Sequence, residues 1–245
     1  MVDPDHPSTA PEPVAGAGRS PAWALADPLG AYLASVVLAV VVGGIWLGVT
    51  GDDEVSLGLT VTTLVAQWTG LIAMSVRASR RRGSGHLAAD LGLRIERRDI
   101  LPGLAVGVLS QLVLLPLLYL PVSLLVDDLD LSEEARELTG LGSGAGLVLL
   151  SLMIVLGAPV VEELFWRGLL QSSLARRFGT VWAVAGSAAL FGLTHFQPLL
   201  LPGLAAFGAV LSVLVHRAGR LGPAVVAHVA FNAVTVIALT ATRTT

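Results

Sequence analysis

Apolar residues in this chain run in long unbroken stretches, not at the spacing of a half-buried soluble helix. Such stretches lie near residues 29–50, 56–76, 101–126, 146–170, 180–197, 199–215 and 222–241. About 20 apolar residues in a helix cross the roughly 30 Å of bilayer hydrocarbon. Lipid offers the backbone no hydrogen-bond partner, so a crossing segment satisfies its own N–H and C=O groups as a helix. The pattern predicts an all-α fold: a polytopic transmembrane helical bundle of about seven spans. The fifth and sixth are short and separated only by His195-Phe196-Gln197-Pro198, which predicts a broken hairpin. Residues 1–26 are rich in Pro, Ala, Gly and Asp and are expected to form a disordered cytoplasmic tail. They do not read as a signal peptide, because no basic stretch precedes an apolar core. One transmembrane domain over 27–245 follows.

Composition agrees. Of 245 residues 54% are hydrophobic and 13% charged, where soluble domains carry about 25% charged residues. The absence of cysteine excludes disulfides, thiol catalysis and cysteine metal sites. Every basic residue is an arginine. Arg77, Arg80, Arg81, Arg82, Arg94, Arg97 and Arg98 follow span two, Arg176 and Arg177 follow span four, and Arg217 and Arg220 follow span six. All three clusters fall on one side, which the positive-inside rule makes cytoplasmic. Asp52, Asp53, Glu54, Asp127, Asp128, Asp130, Glu133, Glu134 and Glu137 fall opposite. The expected setting is a bacterial cell membrane, with the N-terminus cytoplasmic. The linker 77–99 is expected to meet anionic lipid headgroups, with a short interfacial helix over Leu87–Leu93, and no nucleic-acid partner is expected. No internal repeat is visible, which argues against a transporter built on inverted repeats.

The polar residues inside the apolar spans are few, and a charge there is a functional-site signal by default. Glu162, Glu163 and Arg167 follow the uncharged run Gly146–Val161. Helical neighbours are about 100° apart, so the two glutamates face differently. Glu163 and Arg167, four apart, are placed to pair, which leaves Glu162 for chemistry. Pro159 is expected to kink the helix nearby. His195 sits four residues after Phe191, whose ring is placed to steer the imidazole. His228 and Asn232 are also four apart and share a face that should point into the bundle. Gln67 and Gln111 carry no pattern and read as packing glue.

A glutamate, two histidines and an amide on three helices make a hydrolytic centre. The carboxylate takes a proton from water, imidazoles position that water or bind a metal, and an amide donates to an oxyanion. The set Glu162, His195 and His228 also suits zinc. The His-Glu-x-x-His zinc motif is absent, and no Asp falls within the expected spans. A serine design pairing Ser143 with His228 competes poorly, since Gly140–Gly146 reads more simply as a flexible loop. One geometric problem stands. With straight spans, His195 lies towards the opposite side from Glu162 and His228, unless segment five is tilted or re-entrant. Pro198 and Pro202 favour a break.

Together these segments resemble the CPBP family of intramembrane proteases, also called the CAAX protease, bacteriocin-processing or Abi family. Its pattern is Glu-Glu-x-x-x-Arg, Phe-x-x-x-His and His-x-x-x-Asn on successive helices. Glu162, Glu163 and Arg167 match the first part, Phe191 and His195 the second, His228 and Asn232 the third. The motifs lie within 160–235. The resemblance implies an intramembrane endopeptidase in which Glu162 activates the attacking water with His195 beside it. His228 and Asn232 would stabilise the oxyanion, while Glu163 and Arg167 hold the geometry. It allows a Zn2+ site at Glu162, His195 and His228, or a metal-free, glutamate-activated water. It implies membrane lipids and a membrane-associated protein or peptide substrate as partners, and leaves oligomeric state open. The alternative is a non-enzymatic scaffold or bacteriocin-immunity protein on the same fold.

Overall fold

The computed structural model of the protein describes residues 21–51, 54–125 and 130–241. Nine helices and no strand occur among these described residues. They are α1 (Ala26–Thr50), α2 (Leu57–Arg82), α3 (Leu87–Leu91), α4 (Arg97–Ser123), α5 (Glu133–Gly140), α6 (Ala145–Phe178), α7 (Thr180–Leu193), α8 (Leu201–Ala218) and α9 (Gly222–Ala241). Six of them, α1, α2, α4, α6, α8 and α9, are long and apolar enough to cross a membrane. The outward faces are apolar too, with Leu29, Val37, Val40 and Ile45 exposed on α1 and Val181 and Trp182 on α7. Water does not tolerate so wide an apolar surface, and lipid does. The protein is a multi-pass helical membrane protein.

The expected seven spans become six and one short helix. α7 has 14 residues and rises about 21 Å, less than the bilayer core of about 30 Å. It packs against α8 as a hairpin, with the break where His195-Phe196-Gln197-Pro198 was expected to place it. Phe196 turns the chain there in a left-handed conformation at φ 56°, which an L-residue adopts at a cost of roughly 1–2 kcal/mol.

Residues 1–20 of the expected tail, and Asp52, Asp53, Asp127 and Asp128 of the acidic loops, lie outside the described residues. Of the rest of the tail, Trp23 is buried and the Ala22 N–H donates to the Arg82 carbonyl at 3.1 Å. Residues 21–25 therefore pack against the end of α2.

α6 is the central helix. It runs 34 residues and widens twice into π-type turns, over Met153–Gly157 and Leu164–Gln171. Pro159 has no N–H to give the preceding turn, and the first widening falls just ahead of it. All eight residues of the second widening are buried. Leu164, Phe165, Trp166 and Leu169 join Phe191 of α7, Val225 of α9 and Leu91 of α3 in the main core.

Two features fix α9 against this centre. Gly103 and Gly107 of α4 form a small-residue stripe that lets the backbones approach. A methyl at Gly107 would sit against the Ala227 carbonyl and 2.7 Å from the Ala230 Cβ. The linker between α2 and α4 closes over the start of α9. Its Gly92 carbonyl accepts from the Leu221 N–H at 2.8 Å, and Arg220 pairs with Asp99 and reaches Glu96 at 3.6 Å. The Asp99 hydrogen bond raises the Arg220 pKa. α3, at Leu87–Leu91, is the short linker helix expected over Leu87–Leu93.

Candidate active site

The depth problem is solved by the shortness of α7. Arg167 donates to the Gly208 carbonyl and Gln171 to the Ser212 carbonyl, both at 3.1 Å. The step of four is the same on both helices, so α6 and α8 run side by side in one direction. The hairpin tip ahead of α8 is therefore level with the middle of α6, where the glutamates are. From the Gly179 turn, α7 runs back over its 14 residues about as far as α6 advanced from Glu163 to Phe178, roughly 21–23 Å each. The expectation that His195 lies towards the opposite side is corrected. A full-length fifth helix would have carried it there.

Glu163 and Arg167 pair as their spacing predicts, with Nη1 2.9 Å from Oε1 and both side chains 0% exposed. The guanidinium also lies over the Phe191 ring, 4.6 Å from its centroid, a cation–π contact. The same Glu163 Oε1 meets His228 Nδ1 at 2.9 Å. A carboxylate accepts only, so Nδ1 carries the proton and Nε2 faces the other way. Across from Nε2 stands Glu162 Oε2 at 3.9 Å, on a side chain 23% exposed. That gap is too long for a direct hydrogen bond and wide enough for one bridging water. Two adjacent glutamates thus occupy opposite environments. One is sealed and paired, the other reachable.

Aromatic rings hold the imidazoles. Phe191 meets His195 edge-on at 4.8 Å and His228 at 5.9 Å, and Phe207 of α8 meets His228 from another side at 5.4 Å. His195 Nδ1 lies 2.6 Å from the Phe191 carbonyl, so it donates there and leaves Nε2 free to accept. Asn232 turns into the bundle as expected, where its Nδ2 donates to the Ile154 carbonyl of α6 at 2.8 Å, in the first π-type turn. One of its two N–H groups is therefore committed to structure. The wide turns of α6 create these contacts, and π-type turns concentrate at functional sites.

Sequence reading missed three contributors. Gln171, one turn past Arg167 in an otherwise apolar stretch, was findable by the same polar-in-apolar signal. Phe207 and the Gly208 carbonyl were not, since nothing in their neighbourhood departs from an ordinary apolar helix. Gln111, read as packing glue, lines a cavity.

The metal set does not come together. Among the described residues no three His, Asp or Glu side chains gather to hold an ion. Glu163 takes His228 Nδ1 and a backbone carbonyl takes His195 Nδ1, which leaves each imidazole the one nitrogen that a metal would use, but these nitrogens and Glu162 do not converge. As placed, Glu162, His195 and His228 do not fit a zinc ligand set, which needs at least three donors around one point.

Fold and site define a class: a polytopic helical membrane protein with a buried carboxylate–imidazole centre on three helices. Residues 144–234 match the family model described as Type II CAAX prenyl endopeptidase Rce1-like. This stretch carries all three motifs, and the model it matches is of the CPBP/CAAX protease family that they resemble. Residues 1–143, with α1–α5, lie outside the match. Comparison with curated proteins and with solved structures gives no match.

Proposed function

We propose that the protein is an intramembrane endopeptidase that cleaves a membrane-associated protein or peptide with a water activated by Glu162. The observation that carries this reading is the 3.9 Å gap between Glu162 Oε2 and His228 Nε2, beside a sealed Glu163–Arg167 pair. A water in that gap gives a proton to Glu162 and attacks the scissile carbonyl carbon. The proton then passes to the departing amine as the C–N bond breaks, and the products are a carboxylate and an amine. Glu163 fixes the tautomer of His228, and Arg167 holds Glu163. The uncommitted N–H of Asn232 donates to the oxyanion, His228 accepts from the water at its Nε2 and so orients it, and His195 lends its free Nε2 to proton transfer. No step uses a metal, because the donors stand apart. We place the arginine clusters and the N-terminus on the cytoplasmic side of a bacterial cell membrane, following the positive-inside rule. The matched family model is described as a CAAX prenyl endopeptidase, which offers a prenylated CAAX sequence as one class of membrane-associated substrate.

The test compares membrane proteomes of cells carrying the wild-type protein or Glu162→Gln, in the presence and absence of a zinc chelator. Loss of a general base lowers rates by about 100- to 10,000-fold, so product peptides should vanish with Glu162→Gln and persist with chelator. Undiminished cleavage by Glu162→Gln removes the proposal. A phenotype that survives the substitution favours the scaffold or immunity role instead.

A further inference from the structure

Arginines that look equivalent in the sequence fall into two groups in the structure. Seven lie from Arg77 to Arg98. Arg82 pairs with Asp27 at 3.0 Å, and Arg94 and Arg98 both pair with Glu96. Arg220, from the turn before α9, pairs with Asp99. Asp90 accepts from Ser79, Ser84 and Gly85. Every described carboxylate at this end of the bundle is therefore committed. Arg77, Arg80 and Arg81 are exposed and, among the described residues, enter no ion pair. The same holds for Arg176 and Arg177 in the last turn of α6.

The free charges are grouped. Positions 77, 80 and 81 stand at i, i+3 and i+4, so three guanidinium groups leave one face of the end of α2. Like charges at this spacing destabilise a helix, and an anion among them removes the penalty. The other side of the same turns is buried at Ala78 and Ser79, where Ser79 holds Asp90 of α3. Leu91 of α3 in turn covers Gly168, two turns before Arg176, so both free groups belong to one end of the bundle. Apolar surface begins where they stop. Ile72 is exposed on α2 five residues before Arg77, about 7 Å along the helix. Phe178, Val181 and Trp182 are exposed beside Arg176 and Arg177. Arginine and tryptophan at the rim of an apolar band mark the headgroup layer of a bilayer.

The missing counter-charge must come from outside the described chain and lie at the edge of the hydrocarbon. A lipid phosphate meets both conditions, with its acyl chains along the band below, whereas a soluble phosphate gains nothing from that band. We propose that Arg77, Arg80 and Arg81 bind the phosphate of an anionic phospholipid, with a second contact at Arg176 and Arg177. Arg82, Arg94, Arg98 and Arg220 take no part, because their donors are turned to carboxylates of the chain. Guanidinium forks match phosphate oxygens in pairs. This surface is independent of the endopeptidase reading, since it lies at one end of the bundle and the candidate site lies at its middle.

The experiment uses the full-length protein in dodecyl maltoside. It follows energy transfer from the tryptophans to pyrene-acyl phosphatidylglycerol or to pyrene-acyl phosphatidylcholine. The wild type should bind the anionic lipid more tightly. Arg77→Gln with Arg81→Gln should weaken that lipid by about fivefold per arginine and leave phosphatidylcholine unchanged. Arg94→Gln with Arg98→Gln removes the same charge from the same linker and should leave the anionic lipid bound nearly as in the wild type. Arg77→Lys with Arg81→Lys keeps the charge and should retain most of the affinity. Millimolar glycerol phosphate should not displace the lipid. Equal losses from the two glutamine pairs would reduce the effect to net charge and overturn the proposal. So would equal binding of the two lipids by the wild type, or a lysine pair as weak as the glutamine pair. Displacement by glycerol phosphate would also overturn it, by making the ligand a soluble phosphate.

Discussion

Replacing Arg167 with methionine keeps most of the stem and removes the guanidinium. The lost contacts are the 2.9 Å ion pair with Glu163, the 3.1 Å bond to the Gly208 carbonyl and the position over Phe191. Glu163 then stays fully buried with only the His228 N–H for company. Removing one partner of a buried ion pair costs about 3–5 kcal/mol, because the remaining charge has lost its compensation. For chains of 150–250 residues each kcal/mol moves the melting temperature by about 2–4 °C, so the loss is roughly 6–20 °C. Five tryptophans make intrinsic fluorescence a usable melting probe in detergent. The decisive comparison is the double variant Arg167→Met with Glu163→Gln. It exchanges a charged orphan for a neutral amide and should recover part of the loss, with a coupling of about 0.5–3 kcal/mol in the cycle. A drop under 2 °C for Arg167→Met, or strictly additive losses in the double variant, would show that the pair is not the mutual support described here.

Two further outcomes follow from packing and charge. Gly107→Ala inserts a methyl against the Ala227 carbonyl and should cost about 1–3 kcal/mol by overpacking while displacing His228 on the same helix. Gly48→Ala in α1, where a methyl meets nothing within 4 Å, should melt no lower than wild type, and equal losses from the two would refute the close-approach argument. Asp90, in the linker, has its pKa raised by burial, but hydrogen bonds from Ser79, Ser84 and Gly85 outweigh this and hold it below the ordinary 3.8. A depressed carboxylate stabilises the fold above its unfolded pKa and loses that contribution as pH falls through the folded value. Asp90→Asn should therefore melt below wild type at pH 6 and match it in stronger acid, and a gap that widens with acid would contradict this sign.

The helical class, the exposed apolar faces and the Glu163–Arg167 pair were legible because each rests on local sequence. A run of apolar residues or a spacing of four needs no knowledge of the rest of the chain. The orientations of His228 and Asn232 were legible for the same reason, since a costly polar face has only the bundle interior to turn to. The length of α7 was less so. Its apolar pattern continues through Phe196, and only the left-handed turn at Phe196 and the level of α8 against α6 reveal that it stops early. α5 was missed because it falls within an acidic loop and owes its position to contact with α6 and α9.

The proposed mechanism divides two tasks between adjacent glutamates. A carboxylate that is sealed from water and compensated by an arginine can hold an imidazole in one tautomer, whereas the more exposed Glu162 is the one that water can reach. Adjacent positions on a helix differ by about 100°, so one backbone segment delivers a carboxylate to each environment at almost the same depth. The Arg167 partner then separates them electrostatically. It compensates Glu163 directly at 2.9 Å, while Glu162 stands 3.9 Å from His228 Nε2. Exchanging the two environments would fail even with the composition unchanged. A swap of Glu163 for glutamine should therefore unsettle His228 and lower stability, whereas the same change at Glu162 should leave the melting temperature near wild type and remove the proposed cleavage.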